Sequence, residues 1–205
     1  CFDLLQGELS RRRRGALLPA DLYVALARIY ADLELWDRAG ATLQIAITIG
    51  APAVRWEAQL TNAEFRCFQG DYVQAQHILQ SLSPDALPPR LQLMYHYTSG
   101  RVFVRAGALD AAIGALEHAH ATALASEEAT RDPVLLATIY DLLGWAYAVK
   151  GSWAEGAEHL RRADAFWEIS GNTARRALTL NNLGMFAINA GRYHDAESAF
   201  TTGLA

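Results

Sequence analysis

At 205 residues, with 52% hydrophobic and 20% charged side chains, the chain can bury a core of its own and does not have a disordered composition. A net charge of −4 excludes a general attraction to nucleic acid or to an anionic membrane, and no apolar run reaches the ~18 residues that a spanning helix needs. Cys1 and Cys67 make no disulfide framework and have no metal-ligand neighbour at the usual spacing, which fits a reducing, cytoplasmic setting.

In chain order, residues 1–20 read as a helix at about 2–13, the end of a preceding repeat, followed by a basic linker. There is no initiator Met, and the last predicted helix runs to Ala205 without a stop, so the chain reads as a piece of a longer protein. The run Arg11–Arg14 reads as a solubilising face near a repeat boundary. Without aromatic interleaving or a helix-turn-helix, direct nucleic-acid contact by this fragment is not expected.

From residue 21 onward the apolar positions recur at steps of three and four, as in Leu135, Ile139, Leu142, Leu143 and Ala146, which is the helical period. The predicted helices come in pairs: 21–34 with 37–50, 54–69 with 71–82, 89–106 with 109–126, 133–150 with 153–170, and 174–190 with 193–205. Gly70, Gly107, Gly151 and Gly191 mark the turn inside a pair, because glycine just past a helix end accepts a left-handed cap. Pro52, Pro84, Pro88, Pro89 and Pro133 fall between pairs, outside helix interiors. Nothing reads as a strand.

A motif ties the pairs together. A large residue is followed three positions on by a small one and four further by Leu or Phe: Trp36/Ala39/Leu43, Tyr72/Ala75/Leu79, Leu109/Ala112/Leu116, Trp153/Gly156/Leu160 and Tyr193/Ala196/Phe200. Twelve residues before each central small residue stands another: Ala27, Ala63, Gly100, Gly144 and Gly184. Glycine precedes the central residue by five in every case except the first, where Glu34 stands. From Ala39, Ala75, Ala112, Gly156 and Ala196 the spacings are 36, 37, 44 and 40 residues, the mark of a repeat array. Small residues at Gly144 and Gly156 let two backbones approach, and the aromatic of each motif is expected to cover the turn. No pair can bury its own apolar face, so neighbours supply the missing wall.

These residues resemble the tetratricopeptide repeat family. The best matches are Tyr140 through Tyr147 with Gly151, Trp153 and Gly156, and Leu183-Gly184 with Gly191, Tyr193 and Ala196. Arg66 and Ala187 depart from the aromatic that Tyr30, Phe103 and Tyr147 supply, and the period exceeds the family's usual 34 residues. The longer repeats look like the C-terminal arrays of MalT-like and SARP-type bacterial transcriptional regulators. The resemblance implies an all-α fold: an α-solenoid of about five antiparallel helix-turn-helix repeats in a right-handed superhelix. The repeats would span 21–52, 54–84, 89–126, 133–171 and 174–205.

Signatures of chemistry are missing. Lys150, the single lysine beside 17 arginines, lies outside any phosphate-binding loop, and the common hydrolase and zinc-protease motifs are absent. His118 and His120 stand about 200° apart on a helix and do not make a chelating pair. Glu127-Glu128 reads as a solvated pair near a helix end, and Arg161-Arg162 and Arg175-Arg176 as helix-end charge complementarity. No catalytic residue, metal ligand or cofactor is expected, and the chain is read as a non-enzyme.

In the family the first helix of each pair lines the concave groove. Carried onto this chain, the inner-face positions are Arg28, Asp32, Glu64, Tyr97, Arg101, Arg105, Asp141, Trp145, Asn181, Met185 and Asn189. Arg101 and Arg105, one turn apart, are expected to grip a carboxylate, with Tyr97 and Trp145 stacking and the Asn residues bonding an extended backbone. The resemblance implies a protein or peptide partner in this groove, in the sensor part of a bacterial regulator; a small-molecule ligand stays open. A structural or oligomerisation scaffold is the alternative, and a support for catalysis carried elsewhere is a third. An end face around Leu180, Leu183, Phe186 and Phe200 is expected to lie uncovered and to favour self-association.

Overall fold

In a computed structural model the described residues are 18–203, and among them every regular element is helical. Cys1, the helix expected at 2–13, the Arg11–Arg14 run and Ala205 lie outside the described residues. The α-helices are α1 (Ala20–Asp32), α2 (Trp36–Ile49), α3 (Pro52–Phe68), α4 (Tyr72–Gln80), α5 (Pro89–Ala106), α6 (Leu109–Leu124), α7 (Glu127–Thr130), α8 (Pro133–Val149), α9 (Trp153–Ser170), α10 (Thr173–Asn189) and α11 (Tyr193–Gly203). The fold is all-α, of the α-solenoid kind. The chain divides into two compact units, Cys1–Leu91 and Gln92–Ala205, with the division in the first turn of α5. No described helix is long and apolar enough to cross a membrane.

One turn geometry closes every pair. A residue one or two positions past the helix end takes a positive φ, at Glu34 (59°), Gly70 (81°), Gly107 (77°), Gly151 (97°) and Gly191 (73°). The next N–H then donates back to the carbonyl five residues earlier: Leu35 to Tyr30, Asp71 to Arg66, Ala108 to Phe103, Ser152 to Tyr147 and Arg192 to Ala187, all at 2.8–2.9 Å. This is the bond that satisfies an orphan carbonyl at a helix C-terminus. Arg66 and Ala187 serve as well as an aromatic because the turn uses only their backbone. Glu34 makes the same turn with a side chain that the left-handed region disfavours. Glu34→Gly is therefore expected to raise the unfolding free energy by about 0.5–1 kcal/mol. Urea denaturation would read this as a higher midpoint at unchanged slope, and an unchanged or lower midpoint would count against strain at Glu34.

The small residues of the motif receive the Leu or Phe of their own pair. A Cβ added at Gly100 would stand 2.5 Å from Leu116 Cγ, one at Gly144 2.7 Å from Leu160, and one at Gly184 2.5 Å from Phe200. Leu43, Leu116 and Leu160 are accordingly buried. In the first unit the core gathers Val24, Ala27, Leu43, Ala46, Ala58 and Phe65. In the second, Leu116, Leu136, Ile139 and Leu143 join α6 to α8, while Tyr140 and Trp167 join α8 to α9. α8 is apolar nearly all round because it packs against α6, α7, α9 and α10 at once.

The connections between pairs differ from one another, and this accounts for the uneven period. α2 runs into α3 through extended Gly50, with Pro52 at the helix start. α4 ends at Gln80, two residues short of the expected limit, where the Ser81 hydroxyl bonds the Ile78 carbonyl (2.6 Å) and a 3-10 turn, Pro84–Ala86, follows. The longest spacing holds α7, a helix the periodicity does not reveal. Ser126 caps it through the Ala129 N–H, so Glu127 and Glu128 form its first turn and do not lie at the end of α6. α10 follows α9 through Gly171 at φ 69°, the same turn that is used inside pairs.

One packing expectation is corrected. Three of the motif aromatics do more or less than cover the turn: Trp36 meets Phe65 edge-on at 5.8 Å and Trp153 meets Phe186 at 5.6 Å, each reaching the first helix of the next pair, while Tyr193 is exposed. At the expected end face Leu180 and Phe186 are only 4% and 5% exposed, whereas Leu183 and Phe200 are partly exposed and Leu180 and Leu183 line an open cleft.

Candidate functional site

The eleven groove positions fall on α1, α3, α5, α8 and α10, the first helix of each pair. In the first unit, Arg28 and Asp32 on α1 and Glu64 on α3 line one cleft of about 430 Å³ with Trp36, Phe65 and Phe68. Arg28 donates from Nη2 to Glu57 Oε1 (3.3 Å) and to Thr61 Oγ1 (3.4 Å), and Arg90 reaches the same Glu57 oxygen at 3.5 Å.

On α5, the Arg101 guanidinium lies over the Tyr97 ring, 5.4 Å from its centroid, and its Nη1 donates to Tyr97 Oη at 3.3 Å. Arg105 is exposed one turn on. Tyr97 thus helps to orient Arg101 within its own helix.

On α8, Asp141 differs most from its expected role. Its Oδ2 accepts from Trp167 Nε1 (2.8 Å) and its Oδ1 from Thr179 Oγ1 (2.7 Å), so both carboxylate oxygens clamp α8 to α9 and α10. Burial raises its pKa above the ordinary carboxylate range, against the lowering effect of those two hydrogen bonds and of Arg175. Asp141 serves as a half-buried tie here.

Trp145, one turn on from Asp141, is exposed and tilts against Phe186 of α10 with ring centroids 6.0 Å apart. On α10, Asn181, Met185 and Asn189 are exposed, and Asn189 Nδ2 donates to the Met185 carbonyl at 3.1 Å. The structure adds three residues to this set: Val149 on α8, and Leu178 and Ile188 on α10. Trp145 and Val149 are four apart; Leu178, Asn181, Met185 and Ile188 follow at three, four and three, so each set shares a helix face. The five large apolar side chains, Trp145, Val149, Leu178, Met185 and Ile188, are between 40% and 59% exposed. Extending the helical step from Trp145 and Met185 would have found the three additions.

The histidines behave as diverging side chains. His118 stacks on His96 at 5.2 Å, whereas His120 Nε2 lies 2.7 Å from Tyr140 Oη. Burial and then the Arg162 charge hold the His120 pKa below the usual histidine value. The same two causes, with His120 third, lower that of His159. Among the described residues no three metal-ligating side chains are gathered. Arg175 and Arg176 stand in the first turn of α10, where the helix dipole disfavours cations, so helix-end complementarity does not explain them. Arg176 instead bridges Asp164 (2.8 Å) and Glu168 (2.9 Å) of α9, and Arg161 and Arg162 both bond Glu158 within α9.

Solved structures of MamA share the helical architecture. MamA 41-end from Desulfovibrio magneticus RS-1 superposes with a TM-score of 0.64 at 19% identity, covering 90% of this chain and 93% of that one. The MamA RS-1 ArsTM double mutant gives a TM-score of 0.64 at 19% identity over 90% of this chain and 92% of its own. The fold is tetratricopeptide-repeat-like. At that identity the likeness establishes architecture alone. No family model matches the chain, and no curated protein matches it at a significant level.

Proposed function

We propose that the chain is a non-enzymatic module that binds a protein or peptide across the first helices of its pairs, as the partner-binding part of a bacterial transcriptional regulator. The observation that carries the binding reading is the face of α8 and α10. Five large apolar side chains stay half-exposed on α8 and α10, a cluster larger than the separately exposed Leu124, Val134, Ile169 and Tyr193 of the same unit. Around them stand the amides of Asn181 and Asn189, which suit the backbone of a bound segment. Tyr97, Arg101 and Arg105 on α5 add aromatic and cationic groups within the same unit. The regulator assignment rests on the sequence resemblance to MalT-like and SARP-type arrays.

Peptides selected from a random display library on the parent chain test this reading. Their affinities are then measured for the double variant Leu178→Ser with Met185→Ser. Both side chains are about half exposed, so the melting point should hold while affinity falls at least about tenfold, near 1.4 kcal/mol. If the library yields no binder, or the variant binds as the parent does, the structural-scaffold reading takes its place.

A further inference from the structure

We infer that His120 and His159, packed against one Tyr140 ring, form an acid-sensitive joint that loosens α6 and α9 from α8 when the imidazoles gain a proton. The assignment does not depend on the binding reading. His120 stands on α6 and His159 on α9, and both helices pack on α8, which carries Tyr140 and Tyr147. The His120 ring centroid lies 5.0 Å from that of Tyr140, with Nε2 2.7 Å from the Tyr140 Oη. His159 stacks on two rings of α8, on Tyr140 at 6.0 Å and 29° and on Tyr147 at 5.2 Å and 13°. Three helices therefore meet through two imidazoles.

Neutral imidazoles fit this joint and charged ones do not. A neutral His120 with its proton on Nδ1 accepts from the Tyr140 hydroxyl at Nε2; an imidazolium must donate there and turns the hydroxyl proton away. His159 Nδ1 is closed off from solvent and has no hydrogen-bond partner in the protein. An imidazolium carries N–H on both nitrogens, so charging His159 strands a buried donor. The Arg162 guanidinium of α9, 5.8 Å from the Tyr140 centroid, opposes a further cation beside that ring.

The other charges nearby only partly compensate. Glu117 of α6 and Glu158 of α9 favour a charged His159, but Glu117 accepts from Tyr147 Oη at 2.8 Å and Glu158 is held by Arg161 and Arg162. Glu155 of α9 acts on Tyr147. Burial first, then Arg162, keeps both histidine pKa values below the ordinary one, so the unfolded chain takes up protons first as pH falls. The stabilisation by the joint is complete above about pH 6.5 and is lost as pH falls from there through the folded values. Asp141, which ties α8 to α9, works in the opposite sense, because a raised carboxyl pKa adds stability on acidification. The histidine effect is therefore read as a difference between proteins that both keep Asp141.

The test uses the full 205-residue chain. In proton NMR the Cε1–H signals of His120 and His159 are expected to titrate at lower pH in the folded chain than in the urea-unfolded one. His120→Gln keeps a group that can bond Tyr140, and His159→Phe keeps the stack on Tyr140 and Tyr147, so the double variant retains the packing without the titration. Between about pH 7.5 and about pH 5.5 the unfolding constant of the parent should rise at least severalfold more than that of the double variant. Over the same range amides of α6, α8 and α9 in the parent should lose protection from hydrogen exchange relative to those of α1 to α3. Equal pH dependence of parent and double variant, imidazoles that titrate alike folded and unfolded, or protection lost evenly in both units would each overturn the joint. Should the double variant not fold, the parent's imidazole titration and the single variant His159→Phe decide on the same criteria.

Discussion

Gly144→Leu is expected to lower the unfolding free energy by about 3 kcal/mol or more, the upper end of what overpacking a core costs. A Cβ at this position would stand 2.7 Å from Leu160 Cδ2 and 2.9 Å from the Gly156 carbonyl oxygen. The leucine contact could be relieved by a rotamer change, but the carbonyl belongs to the backbone of the facing helix. α8 and α9 would therefore have to move apart, and α8 is packed on four neighbours. The contrast is Gly114→Ala in α6, where nothing lies within 4 Å of the added carbon. There alanine should stabilise by about 0.5–1 kcal/mol through helix propensity alone. Urea titrations of both variants decide the matter: if Gly144→Leu unfolds at the parent's midpoint, the close approach of α8 and α9 is not what holds this pair.

Asp141→Ala should cost about 2–4 kcal/mol, because it strands two donors at once. Trp167 and Thr179 are buried, and their Nε1–H and Oγ1–H both depend on this carboxylate. The gain from removing a carboxylate whose burial raises its pKa offsets part of the loss, which keeps the figure below that of two fully orphaned groups. Asp141→Asn keeps an acceptor for Trp167 and is expected to lose no more than about 1 kcal/mol. Equal melting of the Ala and parent proteins would mean that the clamp adds nothing to the α8, α9 and α10 packing. Equal losses in Ala and Asn would mean that the negative charge matters more than the hydrogen bonds.

These two residues show how unevenly the sequence speaks. Gly144 is legible because its role is local and periodic: a small residue twelve before another, in a pattern recurring at a near-fixed interval, implies helices in close contact. The helix pairs, their turns and the small-to-large packing all follow from that pattern. Even the exception at Glu34 keeps the turn, since the carbonyl-to-amide bond needs the backbone conformation and not a particular side chain.

Asp141 is not legible in the same way. Its place on the first helix of a pair marks it as a groove residue, yet its partners lie 26 and 38 residues away in sequence, on two other helices. No periodicity encodes which way such a side chain turns. The same holds for Arg176, whose pairing with Asp164 and Glu168 outweighs the unfavourable helix end on which it sits. The motif aromatics belong here as well: their spacing places them at a turn, but only the neighbouring pair determines that Trp36 and Trp153 lie against Phe65 and Phe186.

The sequence by itself determined the class of fold, the helices and the turn inside each pair, because those depend on contacts between residues close along the chain. Only the tertiary structure decided the insertion of α7, the clamp at Asp141, the cleft shared by α1, α2 and α3, and the half-exposed apolar side chains of α8 and α10. Each of these is set by which distant residues compete for the same space, and a repeat pattern averages that information away.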